Sequence, residues 1–88
     1  MEILAGRNSV YEALRAARRP MHRVLVARGA QERGTLAALL SAAGDRGVPV
    51  EYVDRAQLDR AAGDLHHQGV IAEAGEYPYG SMTEMLLF

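Results

Sequence analysis

Apolar residues at helical spacing mark three segments of this chain. In the first, Val10, Leu14 and Ala17 fall on one stripe of a helix. Asn8 and Ser9 come just before that stripe and are both favourable N-cap residues, so the helix is predicted to begin at one of them. The other two segments are a longer helix with Leu36, Leu39, Leu40 and Ala43 on one face, and a short helix after Asp54 that contains Ala56, Leu58 and Ala61.

Short apolar runs between the predicted helices indicate strands. Residues 24–26, Val-Leu-Val, do not alternate with polar residues, so this strand is predicted to be buried on both faces. Residues 48–53 form the next strand, and Pro49 limits it to a strand start or an edge position. Residues 69–74 contain a last strand, and residues 3–5 are either a short strand or the lead-in to the first helix.

The order of these elements defines the expected fold class. Strands that alternate with helices predict an α/β fold with right-handed crossovers and a largely parallel sheet covered by helices. The length of 88 residues fits one domain with a single small core. The final residues, 85–88, are apolar, and they either pack back on the domain or lead into further protein; we favour the second interpretation.

Basic residues are concentrated in the first part of the chain. The net charge is −1, yet residues 1–33 hold seven arginines against three acidic residues, a balance of +4. Residues 34–88 hold three arginines against eight acidic residues, a balance of −5. Such an asymmetry is typical of a surface that faces a polyanion. All ten basic residues are arginine, whose planar fork suits phosphates and base edges; a GC-rich genome explains the absence of lysine equally well.

Several classes of function lack support in the sequence. There is no cysteine, and hence no disulfide framework or thiolate metal site. No apolar run approaches the roughly 20 residues of a membrane helix, and residues 1–4 lack the basic start of a signal peptide, which favours a cytoplasmic protein without membrane contact. Common nucleotide-binding, hydrolase and zinc-protease motifs are missing, and the adjacent His66 and His67 point in different directions. Neither catalysis nor metal binding is therefore expected of this chain alone.

The start of the first helix offers a site for a phosphate. Residues 6–9, Gly-Arg-Asn-Ser, place a guanidinium and an amide at a helix N-terminus, where unpaired N–H groups and the helix dipole favour an anion. Arg7 adds a charge-assisted contact. Arg15, Arg18 and Arg19 lie further along and extend the basic surface. The alternative is an ordinary helix cap beside a solvated arginine face.

A second polar segment lies directly ahead of the last strand. His67 and Gln68 offer donors and acceptors to an unpaired base, and an imidazole can stack on it. Gly69 allows a close approach of another backbone. The alternative is a polar loop with a turn glycine. The two tyrosines within residues 77–79 are also suited to base stacking, although they fit a packed linker better.

These two segments carry a family resemblance. Residues 6–16 resemble the opening of the SpoU/TrmH RNA ribose methyltransferases, and residues 67–72 are similar to the family's histidine–glutamine–glycine strand. The similarity extends over residues 3–77 and is strongest to the branch that methylates guanosine 2′-hydroxyls of 23S rRNA. The resemblance implies an L30e/L7Ae-like three-layer α-β-α sandwich with a small, largely parallel mixed sheet.

The same resemblance implies a division of labour within a longer enzyme. Residues 1–76 correspond to a domain that binds the RNA substrate, 23S rRNA, and residues 77–88 to the start of an interdomain linker. The catalytic SPOUT domain, which binds S-adenosylmethionine and forms a homodimer, has no counterpart in this sequence, so no catalytic, cofactor or metal residue carries over. A stand-alone RNA-binding protein of the L30e/L7Ae type is the second hypothesis.

The resemblance also favours one edge of the fold as the RNA face. L7Ae-like proteins contact RNA through a glycine–x–asparagine loop at a helix start, and Gly6, Arg7 and Asn8 match that pattern. The polar and charged residues of these two segments indicate the same edge independently of the resemblance. The predicted RNA-binding residues are Arg7, Asn8, Arg15, Arg18, Arg19, His67 and Gln68.

Overall fold

Seven strands and helices alternate along residues 1–76, the part of the chain that the computed structural model describes. The predicted order is confirmed, and residues 3–5 belong to a strand. The predicted linker at residues 77–88 lies outside the described residues. The elements are β1 (Glu2–Ala5), α1 (Arg7–Ala16), β2 (Met21–Ala27), α2 (Thr35–Asp45), β3 (Val50–Val53), α3 (Arg55–Ala62) and β4 (Val70–Ala74).

The four strands form one mixed sheet in the order β1-β4-β2-β3. β2 and β3 are parallel, whereas β4 runs antiparallel to both of its neighbours, so the expectation of a largely parallel sheet is wrong. The reason is the path of the chain after β3. α3 has eight residues, a length of about 12 Å, and the chain then returns to the edge where β2 ends, with Val70 opposite Val26. β4 therefore begins where a parallel strand would finish.

Helices cover both faces of the sheet, which confirms the sandwich. α1 and α2 pack on one face around residues such as Leu14, and α3 packs on the other face through Leu58. Along β2, Val24 and Val26 contribute to the first core, and Leu25 contributes to the second. The unbroken apolar run in β2 predicted this burial on both faces. None of the helices in residues 1–76 is long and apolar enough to cross a membrane.

The start of α1 differs from its prediction. The helix begins at Arg7, directly after Gly6, whose φ of 97° suits glycine. Asn8 and Ser9 are exposed in the first turn, and the helix has no side-chain cap from its own N-cap residue, so the prediction that Asn8 or Ser9 caps it is wrong. Only Gly6 separates β1 from α1, so Gly6 occupies the N-cap position and has no side chain that could cap the helix.

The C-terminal end of α1 is stabilised by Arg46, which directly follows α2. Ala17 takes a left-handed conformation after the last turn, with a φ of 52°. The Arg46 guanidinium, just beyond α2, donates hydrogen bonds to the carbonyl oxygens of Leu14 (3.2 Å) and Arg19 (3.3 Å). A positive group at the helix C-terminus satisfies carbonyls that have no partner within the helix. These hydrogen bonds help to fix the position of the C-terminal end of α1.

Candidate nucleic-acid interface

One edge of the sheet brings together both motifs found in the sequence. β1, β2 and β3 end at this edge and β4 begins there, so the Gly6 N–H donates to the Val70 carbonyl oxygen (3.1 Å) and the Ala27 N–H donates to the Gly69 carbonyl oxygen (2.9 Å). α/β sheets tend to bind ligands outside the carboxyl ends of their strands. We call this surface the loop edge; it consists of Gly6, Arg7, Asn8, Arg28, Arg55 and residues 66–69.

Arg7 and Gln68 join the two motifs directly. The Gln68 side-chain oxygen Oε1 accepts a hydrogen bond from the Arg7 backbone N–H (3.1 Å), and the Arg7 Nε donates to the Gln68 carbonyl oxygen (3.3 Å). The Gln68 side chain therefore caps the Arg7 N–H, one of the first N–H groups of α1, which have no acceptor within the helix. The backbone of Gln68 is left-handed, with a φ of 53°, a conformation that costs a non-glycine residue roughly 1–2 kcal/mol. The two contacts with Arg7 help to hold it.

His67 holds the turn that places Gln68. Its side chain is buried, its Nδ1 accepts a hydrogen bond from the Gly69 N–H (2.8 Å), and its Nε2 lies 2.6 Å from the Asp59 Oδ1. Because Nδ1 is the acceptor, the ring hydrogen lies on Nε2 and is donated to Asp59. Both ring nitrogens are thus engaged within the protein. We therefore revise the expectation that the His67 ring contacts RNA and assign it to the turn.

A second group of predicted residues lies at the far end of α1. Arg15 is in the last turn, about 12 Å along the axis from Arg7, and Arg18 follows the helix. The Arg15 guanidinium lies over the Tyr11 ring, 5.6 Å from its centroid, in a cation–π contact. Because Arg7, Tyr11 and Arg15 are four residues apart, they share one face of the helix. The predicted basic residues therefore follow a stripe and do not converge on one point.

Arg19 is part of the protein interior. Its side chain is 7% exposed, its Nε donates to the Gly75 carbonyl oxygen (2.7 Å), and its Nη2 forms an ion pair with Glu2 (2.7 Å). These contacts tie the start of β1 to the end of β4. The expectation that Arg19 contacts RNA is revised for this reason, because its guanidinium is turned into the fold. The sequence could not show this, since both partners are far from Arg19 along the chain.

Arg28 and Arg55 add charge that the sequence analysis did not assign to the site. Arg28 directly follows β2 and pairs with Asp54 (2.9 Å) on an exposed surface. Arg55 opens α3, and its guanidinium has no hydrogen-bond or ion-pair partner within residues 1–76. The signal that could have identified them was their position, because both come within two residues of the end of a predicted strand at the same edge.

An ion-pair cluster away from the loop edge links three strands. Arg23 Nε and Nη2 donate to the two carboxylate oxygens of Glu73 (2.8 and 2.9 Å), and its Nη1 donates to Glu51 (2.9 Å). The hydrogen bonds from Arg23 lower the pKa of Glu73, and those to Glu73 raise the pKa of Arg23. The Arg23 guanidinium thus pairs with two carboxylates and links the three strands away from the loop edge.

Comparison with known proteins assigns the family. A family model described as RNA 2′-O ribose methyltransferase substrate binding matches residues 3–80. The chain belongs to this family. The match includes both the Gly6–Asn8 helix start and the residues 67–69 turn, and it confirms the SpoU/TrmH resemblance that those segments predicted.

Relatives of this substrate-binding domain match along nearly all of it. A protein named as an uncharacterized tRNA/rRNA methyltransferase from Mycobacterium avium is 36% identical over 85 residues, and one from Mycobacterium ulcerans is 35% identical. The matches cover 97% of this chain but 27% of the relatives' length, so the chain spans about a quarter of those proteins. A solved structure of a protein with unknown function from Bacillus halodurans C has a TM-score of 0.62 and 26% identity, over 97% of this chain and 80% of that one.

Proposed function

We propose that residues 1–76 bind the RNA substrate of a longer enzyme that methylates a guanosine ribose 2′-hydroxyl in 23S rRNA. The observation that carries the proposal is the pair of hydrogen bonds between Arg7 and Gln68, which unites the two family motifs on one open edge. The family match supports RNA as the ligand. The role of the domain is then to grip a structured RNA segment and present the target ribose to a separate active site.

The loop edge suits a phosphate backbone with nearby unpaired bases. The Arg7 guanidinium keeps donors on Nη1 and Nη2 for a charge-assisted, two-point contact with a phosphate. The exposed Asn8 side chain offers both a donor and an acceptor to a base edge or a ribose. Arg15 extends this path along α1. Because few cations are available and the net charge is −1, we expect binding by the isolated domain to be weak and to decrease with salt in proportion to its few phosphate contacts.

The remaining functions of the enzyme belong to other residues in this proposal. Residues 77–88 begin a linker, and a SPOUT domain binds S-adenosylmethionine as the methyl donor and forms the homodimer. The greater length of the methyltransferase relatives supports this arrangement. A cytoplasmic location follows from an rRNA substrate. A stand-alone L30e/L7Ae-type binder is less well supported, because the relatives are named as methyltransferases.

The proposal predicts a specific loss of RNA affinity on removal of the Arg7 guanidinium. We expect Arg7→Ala to weaken binding to a 23S rRNA transcript several-fold at low salt and to reduce the slope of log affinity against log salt by about 1, because one phosphate contact is lost. Arg60→Ala is the matched control, since Arg60 is an exposed arginine on α3 away from the loop edge. The measurement is fluorescence anisotropy over a series of salt concentrations. Equal effects of the two substitutions would count against the loop edge.

A further inference from the structure

Gly75 directly follows β4, and hydrogen bonds hold both of its peptide groups. Its N–H donates to the Pro20 carbonyl oxygen (2.8 Å), and its carbonyl oxygen accepts a hydrogen bond from the Arg19 Nε (2.7 Å). The N–H belongs to the peptide before Gly75 and the carbonyl to the peptide after it, so both planes are held. Because only two torsions per residue decide the path of a chain, the direction in which the chain continues to Glu76 is held as well. We call Arg19, Pro20 and Gly75 the exit anchor.

The packing around Gly75 leaves no space for a side chain. A Cβ on this residue would lie 2.7 Å from the Pro20 Cγ, closer than Cβ atoms approach other atoms in proteins, and 3.3 Å from the His22 Nε2. The proline ring has little freedom to move aside, because it is closed onto its own backbone. The end of β4 is therefore pressed against the segment that joins α1 to β2, at a position that only glycine fits.

The burial of Arg19 requires an explanation beyond stability. Arginine is almost never buried unless it is paired, and an apolar side chain of similar volume often replaces a buried ion pair without loss of stability. An apolar side chain could not supply directed hydrogen bonds, however. The Arg19 Nε bonds to Gly75 and its Nη2 bonds to Glu2, so one planar group holds the ends of two neighbouring strands. The Arg19 carbonyl oxygen is in turn held by Arg46 (3.3 Å).

The exit anchor lies at the opposite end of the sheet from the loop edge. β4 begins at Val70 beside the loop edge and ends at Ala74 beside the exit anchor, so the two are about 17 Å apart along the strand. The chain spans about a quarter of its methyltransferase relatives, which continue beyond the matched residues. A surface that presents RNA to a separate active site must be held in a defined position relative to the chain that leads there.

We propose that Arg19 and Gly75 position the loop edge, and with it the bound RNA, relative to the residues that follow β4. Arg19 is then a positioning residue, which acts through the Gly75 peptide and touches no RNA. The inference rests on the proposed function for the identity of the ligand. The hydrogen bonds and the packing of the exit anchor are independent of that ligand.

The test measures how tightly the chain is held where it leaves the sheet. Because the sequence has no cysteine, spin labels attach only to introduced ones, Ala37→Cys in the first turn of α2 and Glu76→Cys directly after Gly75. We expect Arg19→Gln to broaden the distribution of distances between the two labels at least about twofold, because the peptide after Gly75 loses its hydrogen bond. Without labels, the Gly75 amide should exchange with solvent roughly tenfold faster, and the amide of buried Val24 should not change.

Further variants test the geometry of the exit anchor. Arg19→Lys keeps the charge but lacks the fork that reaches both Gly75 and Glu2, and it should show most of the broadening. Gly75→Ala disturbs the same contacts from the other side through the clash with Pro20, and it gives an independent result if Arg19→Gln does not fold. Arg18→Gln is the matched control, since Arg18 is the exposed neighbour and its loss should leave the distance distribution unchanged.

RNA affinity separates this inference from the proposed function. Arg19→Gln should bind the 23S rRNA transcript as tightly as the unchanged chain, whereas Arg7→Ala should not. If the distances stay narrowly distributed in both Arg19→Gln and Gly75→Ala, the positioning role is wrong and the RNA-binding edge is unaffected. If they broaden but the unchanged chain does not bind the transcript, the exit anchor stands and the RNA-binding edge is wrong. A loss of affinity in Arg19→Gln as large as that in Arg7→Ala would assign Arg19 to the RNA surface and overturn its positioning role.

Discussion

At the scale of single residues, the loop edge depends on side chains that work inside the protein. His67 and Gln68 belong to the motif that marks the family, yet their ring nitrogens and amide oxygen bond to Gly69, Asp59 and Arg7. Under the proposed function, such a motif residue contributes to RNA binding by fixing a turn, and the open groups beside it are the proposed RNA contacts. The sequence alone could not separate these roles, because the partner of a polar side chain depends on the tertiary fold.

Replacement of His67 tests this structural role. We expect His67→Ala to lower the free energy of unfolding by about 1–3 kcal/mol, because the substitution leaves the N–H of buried Gly69 without an acceptor. His66→Ala is the control, since His66 is the exposed neighbour and should change stability little. The measurement is urea denaturation at neutral pH. A loss no larger for His67→Ala than for His66→Ala would show that the hydrogen bond to Gly69 does not stabilise the turn.

At the scale of elements, the sheet is stabilised by contacts between strands that are distant in sequence. The Arg23 guanidinium bridges β4 and β3 through Glu73 and Glu51. β4 also pairs with both β1 and β2, so its position determines where β1, α1 and the residues 66–69 turn meet. Stability of this central strand and assembly of the loop edge are therefore linked.

The lowered pKa of Glu73 makes this link dependent on pH. A carboxyl group whose pKa is lower in the folded protein stabilises the fold above its ordinary pKa, and the contribution is lost as the pH falls through the lowered value. The free energy of unfolding should therefore decrease below about pH 4, and Glu73→Gln should flatten this part of the profile. Asp45→Asn, at an exposed carboxylate on α2, is the matched control. If the two variants follow the same profile in acid denaturation, the Arg23 cluster does not stabilise the sheet in this way.

At the scale of the whole molecule, the sequence predicted more of the element order than of the site. Helical stripes and apolar runs are local, and they predict the helices and most of the strands. The direction of β4 and the burial of Arg19 depend on contacts across about 50 residues or more, such as Arg19 to Gly75, and no local pattern encodes them. Arg28 and Arg55 were missed for a related reason, because their place at the loop edge follows from the sheet topology.

The central claim is that the loop edge, and not the opposite edge near Arg19 and Gly75, is the RNA-binding surface. The most direct measurement is the change in backbone amide NMR shifts when a 23S rRNA fragment is added to the labelled protein. The account predicts the largest changes at Gly6, Arg7, Asn8 and residues 66–69, with the amides of Arg19 and Gly75 nearly unchanged. Changes concentrated at Arg19 and Gly75, with the loop edge unaffected, would contradict it.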